Sequence, residues 1–169
     1  CSSDLNGNPG FPAAAMDTEG RVHALWSASP SEGQSGSVLY YSRWDETSWS
    51  RPVTVLGVDE GIAQAPVLLF VEPFLHTVWS AGPTGIVFYS RAYPSDAFSA
   101  TGWSQQRISD ETVDGGTPAM TVDLLGRLHV VYAVPFNEGR GIYHTRTDNN
   151  GESWQEAVRL FDAVSEGWS

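Results

Sequence analysis

Short apolar runs bounded by turn residues recur along the chain. Arg21-Val22-His23-Ala24-Leu25-Trp26 and Arg127-Leu128-His129-Val130-Val131-Tyr132 are two of them. Val38-Leu39-Tyr40-Tyr41 and Ile86-Val87-Phe88-Tyr89 are two more. β-branched and aromatic side chains in short runs, punctuated by Gly, Pro, Asn, Asp and Ser, predict strands joined by tight turns. No stretch sustains the 3.6-residue period of an amphipathic helix.

The runs also repeat. His23, His76 and His129 stand 53 residues apart, and Trp26, Trp79 and Tyr132 keep the same spacing. Pro12, Pro66 and Pro118 open the units, and Trp49, Trp103 and Trp154 close them. Tyr41-Ser42-Arg43, Tyr89-Ser90-Arg91 and His144-Thr145-Arg146 correspond between these limits. In the first unit the pattern predicts four strands, near 12–17, 21–28, 37–43 and 49–56. A four-stranded repeat of roughly 40–50 residues is what a propeller blade looks like. The expected fold is therefore all-β: three repeats of about 53 residues, each a β-propeller blade of four antiparallel strands, together a partial propeller. The expected divisions are a tether over 1–11 and blades over 12–64, 65–117 and 118–169. Propellers have roughly 4 to 8 blades, so three cannot close a ring. The expected partners are further blades of a longer chain, a second copy, or other protein subunits.

Thr147-Asp148-Asn149-Asn150-Gly151-Glu152-Ser153-Trp154 resembles the Asp-box, Ser-x-Asp-x-Gly-x-Thr-Trp, of the sialidase-type (BNR) repeat propellers. Asn149 stands where the motif has Asp. The first unit keeps the length from Ser42 to Trp49 but lacks the Gly, and the second has a longer turn over 92–102. The runs Asp17-x-x-Gly20-Arg21-x-His23 and Asp123-x-x-Gly126-Arg127-x-His129 support the same likeness, which extends from 12 to about 160. The resemblance implies that Asp-boxes lie on one face and an active site on the other. The other face carries 28–36, 80–85 and 133–141, with the links 57–65 and 109–117.

A sialidase clamps its substrate's carboxylate with three Arg and adds a Tyr/Glu nucleophile pair and an Asp acid. On the expected functional face only Arg140 is placed to serve; Arg43, Arg91 and Arg146 recur with the fold and read as structural. No complete sialidase set is present, so the reading leans to a non-catalytic binding or assembly module. The alternative is a fragment of a glycoside hydrolase or polysaccharide lyase whose site further blades complete. The same loops are acidic, with Glu32, Asp59, Glu60, Asp110, Glu111, Asp114 and Glu138. Paired carboxylates suit glycoside chemistry, and clustered oxygens suit Ca²⁺. Asp59, Glu60, Asp110, Glu111, Asp114, Glu138 and Arg140 are thus the ligand-binding candidates; no metal or other cofactor is otherwise called for. The three repeated His and the three closing Trp read as blade core, and Trp44 as packing or an exposed stacking ring.

Composition narrows the partners. The 169-residue chain carries a net charge of −11, and all nine basic residues are Arg. That balance disfavours nucleic acid and anionic membrane surfaces. The one cysteine, Cys1, precedes a polar Ser-, Asn-, Gly- and Pro-containing stretch, the look of a mature bacterial lipoprotein. Cys1 is accordingly the expected lipid attachment point, with an envelope, periplasmic or extracellular location and membrane contact only through that lipid.

Overall fold

A computed structural model describes residues 9–29, 37–59, 61–82, 85–109, 116–135 and 139–162. Three four-stranded antiparallel sheets follow one another along the chain, each a simple up-and-down meander. The first holds β1 (Gly10–Met16), β2 (Val22–Ala28), β3 (Val38–Trp44) and β4 (Val53–Leu56). The second holds β5 (Ala63–Val71), β6 (Phe74–Ala81), β7 (Ile86–Ala92) and β8 (Gln106–Arg107). The third holds β9 (Pro118–Val122), β10 (Leu128–Val134), β11 (Gly141–Thr147) and β12 (Val158–Asp162). The only helical turn among the described residues is a 3-10 turn, Ala100–Gly102. The protein is a partial β-propeller of three blades.

The turns between first and second strands form for a local reason. In blade 1 the Asp17 carboxylate accepts the backbone N–H of Glu19 and Arg21, at 2.9 and 3.0 Å. In blade 3 Asp123 does the same for Leu125 and Arg127. An Asp that bonds its own backbone two residues on is a ready-made turn. Blade 2 has no such Asp and turns through Glu72-Pro73 instead.

Strand alternation sends successive side chains to opposite faces, and the middle sheet is packed on both of them. Leu25, Leu39 and Tyr41 of blade 1 meet Leu68, Leu75 and Trp79 of blade 2 in one core cluster. Val78, Val87 and Tyr89 of blade 2 meet Leu128, Val130 and Tyr132 of blade 3 in another. One aromatic pair recurs across the middle strands: Trp26 on Tyr40, Trp79 on Phe88 and Tyr132 on Tyr143, with centroids 6.0, 4.9 and 5.7 Å apart. These pairs sit directly opposite in the ladder, where ring–ring contact stabilises a sheet most.

Two of the three closing Trp reach back to the preceding blade. Trp103 meets the edge of Tyr41 at 6.2 Å, and Trp154 meets Tyr89 at 5.0 Å. Trp49 departs from the expectation that all three are core: it is 51% exposed. It touches only its own blade, 5.9 Å from Trp44. The cause is topological, since no preceding blade among the described residues offers it a ring. The expected fourth strand of blade 1 is also shorter than 49–56, with Trp49 joined only by an isolated bridge to Trp44.

The Asp-box turn of blade 3 folds despite its altered sequence. Asn149 Oδ1 accepts the Ser153 N–H at 3.1 Å, doing with an amide what the motif does with a carboxylate. Gly151 then presses against the Tyr89 ring of blade 2. Gly20 and Gly151 share a left-handed φ of +81°, but a Cβ on Gly20 would meet nothing, whereas one on Gly151 would overlap Tyr89. Left-handed backbone costs a non-glycine residue about 1–2 kcal/mol, and overpacking adds about 1–3. Gly20→Ala is therefore expected to lower unfolding stability by about 1 kcal/mol, and Gly151→Ala by about 2–5 kcal/mol. Urea denaturation of the two variants checks this; equal losses would show that the blade 2–blade 3 contact is not closely packed.

Candidate functional site

The repeated histidines form hydrogen-bond chains, buried in blades 1 and 2 and half-buried in blade 3. In blade 1, His23 Nε2 lies 3.0 Å from Asp17 Oδ2, and its Nδ1 lies 2.7 Å from the Tyr41 hydroxyl. A carboxylate only accepts, so Nε2 carries the proton and Nδ1 accepts from Tyr41. In blade 3, His129 Nε2 lies 3.2 Å from Asp123 Oδ2, and its Nδ1 faces His144 Nε2 at 3.0 Å. In blade 2, His76 Nδ1 lies 2.6 Å from the Tyr89 hydroxyl, and Nε2 donates to the Val71 carbonyl at 3.3 Å. The carbonyl replaces the missing turn Asp.

An Asp–His–Tyr chain has the connectivity of an acid–base relay. In blades 1 and 2 burial decides against that role, because His23, His76, Tyr41 and Tyr89 are all fully buried; the half-buried chain of blade 3 ends on a second imidazole, His144, and has no Tyr. A group that no ligand can reach holds a fold together. The electrostatics agree. Burial would raise the Asp17 pKa, but hydrogen bonds from His23, Arg21 and two backbone N–H groups outweigh it and bring the pKa down to about 2. Burial pushes His23 down, and His76, with no carboxylate beside it, down to about 4. Burial drives both Tyr41 and Tyr89 well above the usual phenol range. Arg127 holds the Asp123 carboxyl far below the ordinary carboxylate range.

The repeated arginines share the turn face. Arg91 donates to the Asn150 carbonyl and lies 3.6 Å from Glu152 across the blade boundary. Arg146 lies 3.6 Å from Asp148. Arg43 differs: its guanidinium stacks over Phe98, 4.9 Å from the ring centre, with no side-chain hydrogen bond or ion pair among the described residues.

Of the candidates read from the loops, Glu60, Asp110, Glu111, Asp114 and Glu138 lie outside the described residues, as do Glu32 and Cys1. Asp59 is exposed, and Arg140 is half-buried at the start of β11 with its Nε unpartnered among the described residues. No group of three metal-ligating side chains occurs among the described residues. The structure does bring together a cavity of about 550 Å³ between the outer strands of blades 2 and 3. Its lining includes Gln106, Gln155, Glu156 and Trp154. The Trp154 indole N–H has no partner there among the described residues, whereas that of Trp103 donates to Ala97 in the longer blade 2 turn. A second cavity, of about 530 Å³, opens between blades 1 and 2 on the turn face and includes Arg43. Sequence reasoning passed over this face; two aromatics, Tyr93 and Phe98, inside the one turn that abandons the Asp-box length were the available signal.

Among known proteins, no family model matches the chain. No curated protein matches it by sequence. Solved structures do. A Hadza microbial sialidase superposes with a TM-score of 0.65 at 15% identity, over 94% of this chain and 36% of that one. A family 117 glycoside hydrolase from the marine bacterium Zobellia galactanivorans gives 0.63 at 14% identity, over 93% of this chain and 57% of that one. An ulvan lyase of polysaccharide lyase family PL25 gives 0.65 at 10% identity, over 92% and 40%. The likeness is one of fold: these three enzymes and this chain share β-propeller blades. The chain spans between 36% and 57% of the length of these three.

The buried imidazoles make stability depend on pH. For His76 the folded pKa of about 4 lies below the ordinary 6.5, so the unfolded chain takes up the proton first as pH falls. Stability is full above pH 6.5 and declines toward pH 4, by about 3 kcal/mol for this group. The depressed Asp17 pKa withdraws further stability only between pH 3.8 and about 2. Urea midpoints measured from pH 7.5 to 4.5 should fall steeply for the native sequence and less steeply for His76→Gln. Parallel slopes would show that His76 is not held neutral by burial.

Proposed function

We propose that this chain is a sialidase-like Asp-box (BNR) propeller module that serves binding or assembly in a larger, carbohydrate-associated cell-envelope structure, without a complete catalytic set of its own. The observation that carries the reading is Trp49. At both internal boundaries the closing Trp is docked on an aromatic ring of the preceding blade, and at blade 1 the same residue is 51% exposed. The opposite end mirrors it: the stacked His129–His144 pair occupies the place where His23–Tyr41 and His76–Tyr89 meet the next blade. Val158 and Phe161, 60% and 37% exposed, lie beside it on β12.

Both terminal faces therefore await a blade of the same repeat, from a longer chain, a second copy or another subunit. Leaving a face wet forfeits about 25 cal/mol per Å² of apolar surface. Over a few hundred Å² that is on the order of 10 kcal/mol, comparable with a whole domain's stability. The alternative reading is a fragment of a glycoside hydrolase or polysaccharide lyase. The superposition on sialidase, glycoside hydrolase and lyase structures favours it. Cys1 remains the proposed lipid attachment point, on sequence grounds.

In analytical ultracentrifugation the 169-residue chain is expected to self-associate at micromolar concentration. Trp49→Glu, a charge on an open flank, should weaken that association by at least about tenfold, the effect of burying an unpaired charge. A cooperatively folding monomer of the native sequence would overturn the assembly reading.

A further inference from the structure

The two inter-blade boundaries share the Tyr–Trp contact and differ at the arginine near the end of the third strand. At the blade 2–blade 3 boundary, Arg91 is occupied by the Asn150 carbonyl and Glu152 of the following blade's turn. At the blade 1–blade 2 boundary the corresponding turn is longer and brings a ring, Phe98, in place of a carbonyl. A ring satisfies the plane of a guanidinium but not its edge, which keeps five N–H donors in fork geometry. The half-buried Arg43 lines the 530 Å³ cavity with those donors uncommitted among the described residues.

The rest of the wall is selective. Arg21 is spent on Asp17 and Glu19, at 2.7 Å each, so it neither competes for a ligand anion nor leaves those two carboxylates bare. Tyr93, 48% exposed, lines the cavity and packs at a 39° tilt against Phe74, with ring centroids 4.4 Å apart. The rim adds the Glu72 carboxylate and the Thr18 hydroxyl, which suit a ligand rich in hydroxyl groups. A volume of this size holds one or two pyranose rings.

We propose that the cavity between blades 1 and 2 binds a carboxylate-bearing sugar residue, its carboxylate forked on Arg43 and its ring laid against Tyr93. The site lies on the turn face, away from the loops in which the sequence placed its ligand candidates, and does not depend on how the ring of blades is completed. A bidentate Arg–carboxylate pair fixes both position and orientation, and an amphipathic aromatic supplies area at small entropic cost.

Calorimetric titration of the full 169-residue chain with D-glucuronate, D-glucose and acetate separates the two contributions. Glucuronate is expected to bind saturably, and glucose and acetate each roughly tenfold more weakly or worse. Arg43→Met should reduce glucuronate binding by about tenfold while leaving the residual glucose binding as it was. Tyr93→Ala, at an exposed position that leaves the core intact, should weaken both sugars and spare acetate. Equal binding of glucose would overturn the role of Arg43, and acetate binding as tightly as glucuronate would overturn the sugar. Absence of saturable glucuronate binding to the native sequence, folded by circular dichroism, would overturn the site altogether.

Discussion

A four-stranded sheet has two faces, and in a propeller each must be covered by a neighbour. That constraint organises most of this chain. Among the described residues the middle blade alone has both faces covered, and it holds the largest fully buried side chain, Trp79, a member of the first core cluster. Toward the following blade, blades 1 and 2 present a Tyr whose hydroxyl is tied to a His on the adjacent strand. The bond matters because a Tyr pressed between two sheets cannot leave its O–H unpaired. Each such Tyr then receives the Trp of the next blade on its edge.

The repeat tolerates substitution where a different group can meet the same physical need. His144 replaces Tyr in blade 3 and still bonds the imidazole of His129. The Val71 carbonyl replaces the turn carboxylate in blade 2. Asn149 replaces the Asp-box Asp and still holds the turn. What does not carry over is the partner of the third-strand Arg, and at the first boundary that Arg lines a cavity. Function on such a scaffold is found where the repeat is broken, because the unbroken positions are already committed to packing.

The blade count, the strand order and the structural character of the histidines were legible in the chain itself. Their 53-residue spacing places them at equivalent registers, opposite Arg43, Arg91 and Arg146 in the three ladders. Alternation fixes which side chains leave each face of a strand, a local property that a sequence states directly. The Asp-x-x-Gly-Arg turns were equally plain, since Asp17 and Asp123 bond residues only two and four places away.

Tertiary structure alone decided the rest. Trp49 and Trp103 occupy the same repeat position, yet one is 51% exposed and the other 6%. Trp103 has a longer turn before it, whose Ala97 carbonyl takes its N–H, but the larger difference is that a Tyr from another blade stands opposite it. Arg43 and Arg91 likewise share a motif, yet the next blade's turn delivers a ring to one and a carbonyl to the other, and Arg91 rests besides on Phe74 of its own blade. Local sequence determines the hydrogen bonds and alternation within a blade because they span a few residues or one hairpin. The environment between blades is set by residues some fifty positions away or more, such as Asn150 on Tyr89 and Arg91, and emerges only when the sheets are packed.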